Sequence, residues 1–210
     1  MPHIHKGIRV LPDGVAHSFR LCLAALLCSV TVAADAWVLN VTPGARRIYL
    51  AVGNSTTDAA NATINLVSVT VPANVVGTGA VQAMTSNSTQ ANSPFDGYNV
   101  CVPPNQVYIG GYFREPSTTA NVASLQVTTP ANLTSGTDTL AFSQISWTST
   151  ALGNAAADIP AGTFNGATLF LRNVSSNTYV ENCHTFSYAN TNVVAAGVYN
   201  GRATYTLSAP

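Results

Sequence analysis

Tyr199-Asn200-Gly201-Arg202-Ala203-Thr204-Tyr205-Thr206-Leu207 decides the fold class. Tyr199, Ala203, Tyr205 and Leu207 fall on one side of an extended chain, and Asn200, Arg202, Thr204 and Thr206 on the other. A period of two places successive side chains on opposite faces, so this is a strand with one apolar face. The same pattern recurs upstream, interrupted by Gly, Pro, Asn and Ser. Val107, Ile109 and Phe113 oppose Tyr108 and Tyr112; Ile48, Leu50 and Val52 oppose Arg47, Tyr49 and Ala51. Ala123, Leu125 and Val127 form a short strand, Leu169 and Leu171 alternate with Phe170 and Arg172, and residues 179–188 form another strand. The apolar face changes side between Leu66 and Val67 and again near Ser143-Gln144, which predicts bulges at both places. Residues 75–94 read as a long loop with one strand. No stretch has the 3.6-residue periodicity of an amphipathic helix. Eight to ten short strands separated by turn signals predict an all-β sandwich or barrel.

The N-terminal segment has a different character. Lys6, Arg9 and Arg20 precede an apolar run from Leu21 to Ala33, and Ala34-Asp35-Ala36 has the small-x-small form of a signal-peptidase site. Residues 1–36 therefore read as a cleaved secretory signal, and 37–210 as a single β-sandwich domain. The apolar run is shorter than the ~20 residues a spanning helix needs, and no later stretch is longer, so no membrane span is expected. Cys22 and Cys28 lie in the signal; Cys101 and Cys183 remain, and one pair in an oxidising compartment reads as a disulfide. The expected location is secreted, periplasmic or on a bacterial cell surface.

Charge narrows the function classes. Beyond residue 36 the basic side chains are Arg46, Arg47, Arg114, Arg172 and Arg202, with no lysine. The acids are Asp58, Asp96, Glu115, Asp138, Asp158 and Glu181, so five positive and six negative charges give −1. There is no basic stripe to neutralise phosphates, which excludes nucleic acid as the expected partner. Ser, Thr and Asn supply the polar surface.

Catalytic constellations are sparse. His184 is the one histidine after residue 36. It neighbours Cys183 on a strand, so the two side chains face opposite ways, and it reads as a partly buried or surface residue. No GxSxG elbow accompanies it, and no cluster of His and Cys has zinc spacing. Asp96 lies among turn residues, Glu115 reads as a strand-end surface charge, and Glu181 lies on the cysteine strand. A paired-carboxylate hydrolase is the weaker alternative. Asp58, Asp138 and Asp158 are candidate calcium ligands, but no DxDxDG loop contains them. No enzyme activity and no cofactor are expected. Tyr98, Tyr108, Tyr112 and Phe113, with Tyr179, Phe186 and Tyr188, are either cross-strand packing or an aromatic platform for surface glycans.

Trp37, Leu39 and Val41 alternate with Val38, Asn40 and Thr42, and Pro43-Gly44 ends the segment. Such a strand either completes the chain's own sheet or inserts into a neighbouring subunit by β-strand addition. The signal, the lysine-poor composition, the single cysteine pair and the Gly201–Leu207 strand resemble secreted fimbrial subunits of Gram-negative bacteria, and uncharacterised secreted β-sandwich proteins. The resemblance implies an immunoglobulin-like, Greek-key sandwich and polymerisation through a donor strand, here residues 37–42 with Trp37, Leu39 and Val41 inserting. Two features depart from that family: Cys101 and Cys183 are central and late, and the chain is longer than a minimal pilin. The expected function is an exported structural or cell-surface protein of fimbrial-subunit type, with a carbohydrate-binding or adhesin module as the alternative.

Overall fold

The computed structural model describes residues 39–54, 65–116, 121–152 and 156–210. The signal segment and Trp37 of the expected donor strand lie outside the described residues. Within them the chain is all-β: fourteen strands and two short 3-10 turns, with no α-helix and no helix long and apolar enough to cross a membrane. Every ladder between these strands is antiparallel.

Seven strands make the main sheet. They are β1 (Leu39–Asn40), β2 (Arg47–Val52), β4 (Gln82–Ala83), β6 (Val107–Arg114), β10 (Ile145–Ser149), β11 (Gly162–Thr163) and β13 (Thr178–Tyr188). Their order is β11-β10-β13-β6-β2, with β1 and β4 also on β13. A second sheet contains β7 (Val122–Thr128), β12 (Thr168–Ser175) and β14 (Thr204–Ser208), in the order β12-β7-β14. Two hairpin-like pairs complete the fold: β3 (Val67–Ser68) with β5 (Thr85–Ser86), and β8 (Asn132–Ser135) with β9 (Asp138–Ala141).

Alternation explains the core. Val107, Ile109 and Phe113 of β6 and Val180 and Phe186 of β13 join Ala123, Leu125 and Val127 of β7, Leu171 and Val174 of β12, and Leu207 of β14 in one buried cluster. Each fully buried aliphatic or aromatic side chain of this kind contributes roughly 1.5–3 kcal/mol. On β14 the expected face is kept: Leu207 is buried, Ala203 and Tyr205 pack on the core, and Thr204 and Thr206 are exposed.

The opposite face of the main sheet is covered as well. Tyr49 and Ala51 of β2, Tyr108 of β6, and Tyr179 and Cys183 of β13 form a second buried cluster with Val41 and Cys101. Its lid is a folded loop. Val100 N–H and Cys101 N–H both donate to Ala91 O at 2.9 Å, and Ser93 N–H donates to Tyr98 O at 2.7 Å. Gly97 takes φ +81° at the loop's turn, a conformation that favours glycine. The disulfide Cys101–Cys183, with Cα atoms 5.5 Å apart, fastens this loop to β13.

Several sequence expectations are corrected. The phase change near Ser143-Gln144 is no bulge: Phe142–Gln144 form a 3-10 turn that carries the chain from β9 to β10 in a different sheet. The register shift lies instead on β12, between Phe170 and Arg172, and leaves Phe170 54% exposed. Residues 75–94 hold two short strands, β4 and β5, rather than one. The count of strands exceeds eight to ten because several are only two residues long.

Candidate functional site

Cross-strand register builds a transverse row of side chains on the disulfide face. Tyr49 on β2 is opposite Tyr112 on β6, Tyr112 is opposite Tyr179 on β13, and Tyr179 is opposite Leu39 on β1. Directly opposed positions bring Cβ atoms to about 4.5–5.5 Å, close enough for rings to meet. Tyr49 and Tyr112 stack with centroids 5.4 Å apart. Tyr179 lies 6.3 Å from Tyr49 and 6.1 Å from Tyr112, tilted to both. The disulfide-held loop sets Phe95 on Tyr179, stacked at 4.5 Å.

These rings line a groove of about 450 Å³. That is within the ~300–1,000 Å³ range of small-molecule sites. Asn40, Val41 and Thr42 form one wall, Pro94 and Phe95 another, and Arg114 stands at the rim. Tyr112 is half-buried and Phe95 is 38% exposed, so both present ring surface to the groove.

A polar support lies behind the row. Tyr108 bends over Gly110, where a Cβ would fall 2.2 Å from its hydroxyl. The absence of that atom lets the hydroxyl donate to Glu181 Oε2 at 2.7 Å and approach the Tyr179 hydroxyl at 2.6 Å. Ser93 of the lid also favours the charged form of Glu181. Burial raises the Glu181 carboxyl above its ordinary range, although the Tyr108 and Ser93 hydrogen bonds act against the rise. Burial also raises the hydroxyls of Tyr108, Tyr179 and Tyr49, so all three stay protonated donors at neutral pH. Glu181 does not line the groove; it fixes the ring of Tyr179 from behind.

The structure divides the residues singled out in the sequence. Tyr112 and Tyr179 meet in the groove, Tyr108 supports it, and Tyr98 is 62% exposed nearby on the lid. Phe113, Phe186 and Tyr188 point into the core between the sheets. Leu39 pairs with Tyr179 of its own chain, and Val41 is buried and lines the groove wall. Asp96 Oδ1 accepts from Tyr98 N–H at 3.0 Å, a local turn bond. Asp158 pairs with Arg172 at 2.8 Å; Asp58 lies outside the described residues.

Two readings need correction. Glu115 is not a surface charge: it is 1% exposed, bound by Arg46 Nη2 at 2.7 Å and Asn121 Nδ2 at 3.1 Å. A carboxylate buried this way is held by its partners, and neither Arg46, far back in the chain, nor Asn121, six residues on, carried a sequence signal of it. His184 is neither surface nor partly buried but fully covered, stacked on Trp147 at 5.8 Å. It faces the inter-sheet core and Cys183 the lid, as alternation requires. Tyr49 and Phe95 were missed. Tyr49 was legible as the aromatic on the polar-phase side of β2; Phe95 was not, because only the folded lid aims it.

Among the described residues no group of three or more His, Cys, Asp and Glu converges. No protein-family model, curated protein or solved structure matches the chain.

Proposed function

We propose that the chain is an exported surface module that binds carbohydrate in the Tyr49–Tyr112–Tyr179–Phe95 groove. The observation that carries this reading is the transverse aromatic row, walled by Asn40 and Thr42 and roofed by Phe95. A sugar ring has an apolar C–H face and a hydroxyl edge. Flat rings beside amide and hydroxyl groups complement both, and two-torsion aromatics lose little entropy on binding. A disulfide holding the lid suits an oxidising, extracellular setting. Chain crossings between the two sheets, from β6 to β7, β7 to β10 through β8–β9, and β12 to β13, support an immunoglobulin-like, Greek-key description.

A glycan array followed by calorimetric titration of the hits tests this. Wild type should bind a defined oligosaccharide set, and Tyr112→Ala should weaken binding at least roughly tenfold, ~1.4 kcal/mol. An array without signal from folded, oxidised protein rejects the reading.

A fimbrial-type subunit is the second reading. β1 holds β13 through two register pairs and a bond from Val41 N–H to Asn177 O, a small contact that another copy's residues 37–42 can supply in its place. Light scattering should then show concentration-dependent polymers that disappear when residues 37–44 are deleted. Monomers of the same kind with and without that segment reject polymerisation and leave the binding module.

A further inference from the structure

The rim of the groove carries a positive charge, Arg114, that an uncharged ligand does not need. Arg47 and Arg114 are directly opposite across β2 and β6, on the same face as the aromatic row and one pair beyond Tyr49 and Tyr112. Five arginines and no lysines occur from Leu39 to the end of the chain, and of these Arg114 lines the groove. Arg46 has its own carboxylate, Glu115, at 2.7 Å. Arg114 is placed differently. Its Nε–H donates to Ala45 O at 3.1 Å and its side chain lies against Gly44, which fixes the guanidinium at the groove. Among the described residues no carboxylate or other acceptor takes the Nη groups of Arg114. A guanidinium fork held by its Nε and open at its outer edge matches a planar carboxylate, two parallel N–H···O bonds at a time.

We propose that the ligand is an acidic saccharide of the uronic-acid class, its ring on Tyr112 and its carboxylate on Arg114. This inference rests on the carbohydrate reading above and adds the charge. The hydroxyl edge of the ring meets Asn40 and Thr42.

The test compares three probes by calorimetry: trigalacturonate, its fully methyl-esterified form, and neutral cellotriose. Wild type should bind trigalacturonate roughly tenfold or more tightly than the ester, and added salt should narrow the gap. Arg114→Gln should close the gap between trigalacturonate and the ester, with the larger loss on trigalacturonate. Arg114→Lys, which keeps the charge without the fork, should fall between them. Tyr112→Ala should weaken both. Equal binding of acid and ester by wild type, or an undiminished gap in Arg114→Gln, overturns the acidic preference and leaves carbohydrate binding standing. Binding of cellotriose alone likewise overturns the preference and keeps the carbohydrate site. No binding of any probe, together with an empty array, overturns both. The wild-type comparison of acid with ester requires no variant, so a poorly folding Arg114→Gln does not block the decision.

Discussion

At the scale of single residues, His184 sets the response to acid. Among the described residues neither ring nitrogen has a hydrogen-bond partner, and the side chain is enclosed by Trp147, Phe186 and Tyr205. Burial pushes its pKa down from 6.5 to about 3. The unfolded chain therefore takes up a proton below about pH 6.5 that the folded chain refuses until near 3. Stability is kept above that window and lost as pH falls through it, at up to ~1.4 kcal/mol per pH unit. Urea unfolding at pH 7 and pH 4.5 should show a smaller loss for His184→Phe than for wild type. Equal losses would show that His184 is solvated in the native state. Glu181 works in the opposite sense, since its carboxyl is raised by burial and favours the native state on the acid side. Glu181→Ala should cost about 1–3 kcal/mol by stranding the Tyr108 hydroxyl, and Glu181→Gln, which keeps an acceptor, less. The alternation of Cys183 and His184 was readable in the sequence. The completeness of burial was not, because it depends on Trp147 from β10 and Tyr205 from β14.

Among elements, the pairing of β2 with β6 positions half the aromatic row. Gly111 permits it: an added Cβ would sit 2.5 Å from the Tyr49 carbonyl oxygen, a backbone atom with no rotamer to give. Gly111→Ala should push β2 away from β6 and cost about 1–3 kcal/mol, as overpacking does. A melting temperature unchanged from wild type would refute this. Gly111 sits in ordinary extended backbone, so the constraint is one of space rather than dihedral angle. Sequence alternation located β2, β6, β7, β12, β13 and β14 because each has a buried face to betray it. It did not locate β4, β5 or β11, which are only two residues long and too short to show an alternation. Nor did it foresee the lid at residues 91–101, whose shape comes from turn bonds and the disulfide rather than from periodicity.

For the whole molecule, the crosslink spans 82 residues of sequence and joins the lid to the main sheet's central strand. In the chain-entropy account such a closure contributes up to ~4–5 kcal/mol. The Cys101→Ala, Cys183→Ala double variant should lose a large part of that in urea unfolding, and reductant should bring wild type to the same midpoint. Carbohydrate binding should weaken with it, since Phe95 depends on the lid. An unchanged midpoint would mean that packing alone fixes the lid. The cysteine pair and the all-β class followed directly from composition and pattern. The covering of the main sheet on both faces did not, because Tyr49, Tyr108 and Tyr179 read as amphipathic positions suited equally to solvent.

β13 has neighbours on both sides at Thr178 and Tyr179, where β1 and β6 flank it, and at Ser187 and Tyr188, where β10 and β4 do. Its backbone amides should be the last in the molecule to trade hydrogen for deuterium. The floor of the groove would then stay intact while its roof opens and closes, and a bound ligand would slow isotope uptake at residues 91–101 far more than beneath them.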